Sequence, residues 1–258
     1  MIKSYSAEQL DNLRQSGKIL AGALAEIERN IKAGISTLEL DKIAEESITK
    51  NGAEPSFKNY NRFPYSICTS VNEESIHGMP RADKILQDGD IISVDVGVRF
   101  NGMCTDAART FPVGDVSDEA KALIKATEQC FFEAIKGLKE KSKVGDIGAR
   151  IEDFIKTNTT FSIIENFFGH GVGERVHEEP LIPNFRPNRK TKKIIKEHVM
   201  ARLPLHSVIA IEPMINAGVK ESKVGKDGWT VTTADGKLAA HYENTVIILE
   251  DGVEVVTL

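Results

Sequence analysis

The sequence contains no apolar run of the roughly 18–20 residues that a membrane-spanning helix requires. Its N-terminal stretch, MIKSYSAEQL, has no apolar core of the kind found in secretory signals, so we expect a cytoplasmic protein. No C-x-x-C spacing occurs, and the three cysteines (Cys68, Cys104 and Cys130) therefore favour reduced thiols over a disulfide framework or a zinc knuckle. A net charge of -5 argues against a general nucleic-acid binder.

What is present is typical of a globular chain. The 258 residues are 41% hydrophobic and 28% charged, which suits one large domain or two small ones. A capping-box pattern at Ser6 predicts a long helix, and a second helix is predicted from about 37 to 50. A long and a shorter helix, from about 117 to 138 and 146 to 157, repeat this order about 109 residues later. We therefore predict one domain, 1–258, with similar halves of about 1–114 and 115–258.

The stretch DIISVDVGVRFNGMCTDAART predicts a hairpin, because Asn101-Gly102 joins two β-rich runs. A two-residue loop places Gly97 opposite Asp106, and Asp95 shares a face with Gly97. The two carboxylates are then diagonal neighbours on one face, roughly 7–8 Å apart at the backbone. Gly97 is expected to leave open space beside them, while Val94, Val96 and Val98 fill the core-facing side.

Two carboxylates on one face of an apolar hairpin repel each other and are costly to desolvate. A shared proton, an ion pair with Arg or Lys, or a divalent cation could each relieve that cost. The second half of the chain supplies further polar residues in apolar settings: His170 among glycines, where the backbone can approach a ligand closely, and Glu212 and Glu243 in apolar strands.

Taken together, four carboxylates and one imidazole favour a metal site. The set Asp95, Asp106, His170, Glu212 and Glu243 is oxygen-rich, which suits hard or borderline divalent ions better than a closed tetrahedral zinc. That many acids can neutralise two ions, as in known two-metal enzymes.

These segments resemble the methionine aminopeptidases, in the short type I form typical of bacteria. The resemblance extends over essentially the whole chain. The segments that carry it are TLELDKIAEESI, GAEPSFKNYNRFPYSICTSVNEESIHGMP, SVDVGVRFNGMCTDAART, GHGVGERVHEEP, IEPM and ENT. It implies an α+β pita-bread fold, with helices outside a curved antiparallel sheet in two pseudo-symmetric halves. The implied activity is removal of the N-terminal methionine from nascent proteins with a small second residue, by attack of water activated by two metal ions. The resemblance also implies that the protein is a monomer.

The resemblance also implies a role for each matching residue. Asp95 would bind one ion, His170 and Glu212 the other, and Asp106 and Glu243 would bridge two ions of Co, Mn, Fe, Zn or Ni. Glu212 would also transfer the proton, while His77 and His177 would bind the reacting amide and the scissile carbonyl. The methionine pocket would be lined by Tyr60, Phe63, Cys68 and Trp229, and Asn72 would support the loop before His77.

Three departures from the family pattern stand out, and none is expected to alter a metal ligand. His241 replaces a common glutamine, and Val176 replaces an aromatic residue, which predicts a thinner wall of the methionine pocket. The stretch between VHEEP and IEPM is long and basic, and we interpret it as a solvated loop with a short helix. Its charges from Arg186 to Lys196 suggest an alternative role in contacting the ribosome surface.

Two other functions compete with this interpretation. A related peptidase could cleave X-Pro bonds, although the chain carries the TSVNEESIHGMP segment and has no large N-terminal domain. A protein of the same fold could instead only bind a partner, but such proteins typically lose metal ligands, and all five candidates are present here.

Overall fold

The computed structural model describes residues 2–188 and 191–258. Arg189 and Lys190, in the basic stretch, lie outside the described residues. The described helices are α1 (Ala7–Asn30), α2 (Thr37–Lys50), α3 (Asp118–Ile135), α4 (Val144–Asn158) and α5 (Lys192–Met200), with a short 3-10 turn at Tyr60–Arg62. The strands are β1 (Glu54–Pro55), β2 (Ile67–Val71), β3 (Glu74–Ile76), β4 (Ile91–Phe100), β5 (Met103–Pro112), β6 (Ser162–Ile163), β7 (Gly169–Gly171), β8 (Glu178–Ile182), β9 (Val208–Ile211), β10 (Met214–Asn216), β11 (Ser222–Val224), β12 (Val231–Thr233), β13 (Ala239–His241), β14 (Asn244–Ile248) and β15 (Val253–Val255).

The first two helices begin at capping boxes, as the sequence predicts. The Ser6 hydroxyl accepts a hydrogen bond from the Gln9 amide N–H at 3.3 Å, and the Gln9 side chain accepts one from the Ser6 N–H at 3.0 Å. Ser36 and Glu39 form the same reciprocal pair at the start of α2. These contacts satisfy amide groups that the first turn of a helix leaves without partners.

The later helices differ from their predicted bounds by a few residues. Helix α3 ends at Ile135, three residues before the predicted end at Leu138, because Gly137 adopts a left-handed conformation with φ 63°. Helix α4 begins at Val144, two residues before its predicted start. The predicted short helix of the basic stretch is present as α5.

The hairpin of β4 and β5 has the predicted register. Gly97 pairs with Asp106 and Arg99 with Cys104, across the Asn101-Gly102 turn. The two strands extend to Phe100 and Pro112. The three valines of β4 are fully buried against α1 and α2, which confirms the core-facing side.

The described strand pairings are all antiparallel and form four sheets. β4 pairs with β5 on one side and with both β2 and β1 on the other, and a five-stranded sheet has the order β15-β14-β9-β7-β8. Two three-stranded sheets, β13-β10-β6 and β11-β12-β3, complete the architecture. Strands β1, β2, β4 and β5 are packed by α1 and α2, and the second-half strands are packed by α3, α4 and α5.

Separate hydrophobic clusters support each half. Of the four hydrophobic clusters among the described residues, one lies entirely between residues 19 and 113, and another consists of Ile91 and residues from 116 to 248. Each of these two is covered by two helices, α1 with α2 and α3 with α4. We propose that these are the two architectural halves expected from the sequence. No helix among the described residues is long and apolar enough to cross a membrane.

Candidate metal centre and substrate cavity

Backbone pairing between the halves brings three of the carboxylates together. Ala108, which lies opposite Asp95 in the hairpin, exchanges backbone hydrogen bonds with Glu243 at 2.9 and 3.3 Å. Close by, the Asp106 N–H donates to the Thr245 hydroxyl, which donates back to the Asp106 carbonyl, both at 2.8 Å. The turn between β13 and β14 is thereby fixed against the hairpin, with Glu243 facing the two aspartates.

His170 and Glu212 reach the same place from the five-stranded sheet. His170 pairs with Ala210 on β9, and Glu212 follows that strand directly. The ring Nδ1 of His170 lies 3.0 Å from the carbonyl oxygen of Gly171, so the other ring nitrogen faces the carboxylates. Its Nε2 is 3.5 Å from Glu212 Oε1 and 3.8 Å from Asp106 Oδ2.

The glycines beside His170 allow neighbouring strands to pack closely. A Cβ on Gly169 would lie 2.5 Å from the Ala210 carbonyl oxygen, and one on Gly171 would lie 2.2 Å from that of Glu179. They therefore allow β7 to fit between β8 and β9, while a close approach of the backbone to a ligand stays a prediction. The open space expected beside Gly97 was wrong, because Ser56 and Phe57 fill it, at 2.2 and 2.5 Å from a Cβ there.

Three of the carboxylates are buried, and no Lys or Arg among the described residues forms an ion pair with them. Asp106 and Glu243 are 3% and 2% exposed, and Glu212 is 8% exposed. In the described part of the chain, their ion-pair contacts are only to His170 and His241, so the ion-pair alternative is wrong. One oxygen each of Asp95, Asp106 and Glu243 has no hydrogen-bond partner among the described residues.

Burial and mutual repulsion shift the protonation of this cluster. Burial raises the pKa of Asp95 to about 7. Burial, followed by repulsion from neighbouring acids, raises the pKa of Asp106, Glu212 and Glu243 well above the usual range. Burial lowers the pKa of both His170 and His241 to about 3, so both rings are neutral near pH 7 and can donate a lone pair.

The donor set fits divalent cations. One group consists of Asp106, His170 and Glu243 and another of Asp95, His241 and Glu243, and within each group the ligand atoms lie within 4.8 Å of one another. Glu243 belongs to both groups, which is the arrangement that a bridging carboxylate requires. Oxygen-rich sites with imidazole suit borderline divalent ions. Cations there would satisfy the orphaned oxygens.

His77 and His177 lie at the same cavity. His77 adopts a left-handed backbone conformation (φ 57°). The next residue, Gly78, packs so closely against β2 that a Cβ on it would lie 2.1 Å from the Thr69 carbonyl oxygen. Burial lowers the pKa of His77 to about 4, so its ring is neutral near pH 7. His177 has Nδ1 3.0 Å from the Tyr60 hydroxyl, and its ring centroid is 4.2 Å from that of His170.

One cavity of about 330 Å³ joins all eleven predicted site residues. Beside the metal candidates it has an aromatic wall, where the rings of Phe63 and Trp229 meet edge to face at 5.1 Å. Cys68 lines this part, and burial raises its pKa well above its ordinary value, so it is a neutral thiol. Asn72 supports the preceding loop, donating to Asp90 at 2.8 Å and accepting from the Ile91 N–H at 3.0 Å.

Three lining residues were missed in the sequence: Phe57, Asn61 and His241. His241 Nε2 lies 3.7 Å from Glu212 Oε2 and 3.8 Å from Glu243 Oε2, so this departure from the family pattern adjoins the candidate ligands. A signal was available, since His241 and Glu243 are two residues apart and share a face of an extended chain. Val176 is buried at 3% exposure but is not a lining residue of this cavity.

Comparison with known proteins agrees with this geometry. Residues 11–250 match the model of metallopeptidase family M24. The chain is 48% identical to the methionine aminopeptidase of Clostridium perfringens, over 100% of this chain and 99% of that protein. It is 43% identical to methionine aminopeptidase 1 of Bacillus subtilis, over 100% of this chain and 99% of that protein.

Solved structures give the same result. Methionine aminopeptidase from Thermotoga maritima superposes with a TM-score of 0.93 at 35% identity, covering 100% of this chain and 99% of that one. The prolidase of Pyrococcus furiosus has a TM-score of 0.78 at 20% identity, covering 99% of this chain and 65% of that chain. At that identity the prolidase shares the fold alone. The neighbours thus confirm the α+β pita-bread architecture.

Proposed function

Because the chain belongs to metallopeptidase family M24, we propose that it removes the N-terminal methionine from nascent proteins whose second residue is small. It is a metal-dependent aminopeptidase. The observation that carries the proposal is a single cavity in which buried carboxylates without cationic partners adjoin an apolar pocket. Nascent chains are made in the cytoplasm, so we place its work there.

The five candidate ligands divide between two cation positions. Asp95 would bind at one position and His170 with Glu212 at the other, while Asp106 and Glu243 would contribute to both. Two bound divalent cations of Co, Mn, Fe, Zn or Ni would supply a water acidic enough to react near neutral pH, polarise the scissile carbonyl and hold a free α-amine, which would restrict cleavage to chain ends.

Other side chains transfer protons and orient the peptide. Glu212 accepts a proton on a carboxylate oxygen and returns it to the leaving amine. His77, neutral in its buried position, donates to the reacting amide as charge develops there. His177 has Nδ1 occupied by the Tyr60 hydroxyl, which leaves Nε2 for the scissile carbonyl.

The apolar part of the cavity selects the first residue. Phe63, Cys68 and Trp229, with Tyr60 at the side, present polarizable surfaces on which a thioether packs favourably. Lys, Asp or Glu would lose solvation there without a partner. The second residue would lie beside His77 and His177, and we expect small side chains to be preferred there.

The basic stretch from Arg186 to Lys196 supports a weaker part of the proposal, contact with the ribosome surface. Of this stretch the structure describes 186–188 and 191–196, and Arg186 is paired with Asp153 at 2.6 Å. Lys193 and Lys196 are exposed. Replacing both by Glu should weaken salt-sensitive ribosome binding and leave tripeptide cleavage unchanged. Equal binding by parent and variant would exclude this role.

A peptide assay tests the activity. Metal-stripped protein should cleave Met-Ala-Ser only after Mn or Co is added, and it should spare Ala-Ala-Ser and Met-Lys-Ser. Asp106→Ala should abolish turnover, whereas Asp115→Ala, at a side chain that is 90% exposed, should retain it. Cleavage of Met-Ala-Ser without bound metal, or preference for X-Pro peptides, would contradict the proposal.

A further inference from the structure

His241 is held rigidly beside the metal candidates by its backbone. Its N–H donates to the Thr110 hydroxyl at 2.9 Å, and that hydroxyl donates to the His241 carbonyl at 2.9 Å. Strand β13 also pairs with β10, where Met214 lies opposite His241. The side chain is 2% exposed, so its ring has no access to bulk water.

The ring nevertheless has no hydrogen-bond partner in the part of the chain that the structure describes. Neither Nδ1 nor Nε2 forms a hydrogen bond with a described residue. Buried polar atoms of this kind are rare in folded proteins because each carries a desolvation cost. The Nε2 atom lies 3.7 Å from Glu212 Oε2 and 3.8 Å from Glu243 Oε2, which is too long for hydrogen bonds.

The 3.8 Å spacing between His241 and Glu243 fits two donors on one cation. Donor atoms each about 2.1 Å from an ion, at angles of about 110–130°, are about 3.4–3.8 Å apart. His170, the imidazole already assigned as a ligand, shows the same spacing, 3.5 Å to Glu212 and 3.8 Å to Asp106.

From this geometry we propose that His241 is a sixth metal ligand, completing the cation position of Asp95 and Glu243. The inference rests on the proposed metal site. It gives each of the two positions one imidazole, His170 in the first group and His241 in the second. Because imidazole favours Zn, Co, Fe and Ni over Mn, this position should prefer the borderline ions.

Metal titration of His241→Gln tests the inference without measuring activity. Glutamine retains a side chain of similar length that hydrogen-bonds to carboxylates but binds cations weakly. Calorimetry on metal-stripped protein should show two Zn or Co sites in the parent. In the variant, one of the two sites should keep the parent's affinity for Zn or Co, and the other should bind the same metal at least tenfold more weakly. Its affinity for Mn should change by less than about threefold, and the visible absorption of its Co form should differ from that of the parent.

His206→Gln is the matched control. This substitution removes one imidazole from the turn before β9, at a residue that does not line the cavity. The variant should bind Zn, Co and Mn as the parent does. Unchanged Zn and Co affinities in His241→Gln would overturn the inference. An equal loss for Zn, Co and Mn would also overturn it, because that pattern means His241 only positions the carboxylates. Failure of the parent itself to bind metal would instead refute the proposed function.

Discussion

Replacing Asp106 by Asn should have opposite effects on the protein with and without metal. The substitution removes one negative charge and preserves side-chain volume in a position that is 3% exposed. In the metal-free protein the Asp106 carboxylate is opposed first by burial and then by Glu243 and Asp95. Removing its charge should therefore stabilise the metal-free fold, while removing a ligand from both cation positions.

The size of the effect follows from the spacing. Two charges at 4.8 Å, the upper limit of the spacing within the group, interact by about 3–4 kcal/mol at an effective dielectric constant near 20. Partial protonation reduces this repulsion, since the pKa of Asp95 is about 7. We expect Asn at this position to stabilise the metal-free protein by about 1–3 kcal/mol, or about 3–8 °C in Tm. Cations at 100-fold excess over Kd should stabilise the parent by about 2.7 kcal/mol per site.

Thermal unfolding with and without Mn or Co measures both effects. The variant should melt above the parent in chelator, and the order should reverse with metal, because the parent gains roughly 10 °C or more and the variant gains little. Asp115→Asn, on an exposed side chain, should follow the parent in both conditions. If Asp106→Asn melts below the parent in chelator, or gains as much from metal, the reasoning about charge and ligation is refuted.

Two further predictions concern the same cavity. His77→Ala should lower kcat and kcat/KM together by roughly 10²-fold or more, as expected for a lost donor to the transition state, and a change confined to KM in steady-state kinetics would contradict this role. Because the carboxyl pKa values are raised in the metal-free folded protein, that protein holds protons that the unfolded chain releases above about pH 4. The stability of the metal-free fold should therefore fall as pH rises through 7. Metal displaces those protons, so calorimetric metal affinity should increase from pH 6.5 to 8, and an affinity independent of pH would contradict the shift.

The features predicted correctly from sequence depend on local interactions. The register of the hairpin follows from the two-residue Asn101-Gly102 turn, and the start of α1 follows from the capping box at Ser6. The four acids among the candidate ligands were singled out because acids in apolar strands are costly unless they have a partner, and their role as ligands stays a prediction. None of these inferences requires knowledge of which distant segments meet.

The features that were wrong or missed depend on contacts between distant segments. Gly97 appears to face empty space when only the hairpin is considered, but the loop after β1 brings Phe57 onto it. The glycines around His170 accommodate neighbouring strands whose positions are set by the five-stranded sheet. His241 joins the acids only because the second half pairs with the hairpin through Ala108 and Glu243.

The backbone explains how so many acids can be held together. Glu212 and Glu243 each lie between two short strands, where the ladder is interrupted and the side chain can turn inward. The neighbouring backbone remains satisfied: the Asn184 amide donates to the Glu212 carbonyl at 2.9 Å, and Glu243 pairs with Ala108. The unfavourable energy is thus confined to side-chain oxygens that lack partners, and these are the atoms a cation can satisfy. A fold that left backbone groups orphaned here would gain less from metal, because a cation cannot replace a missing N–H partner.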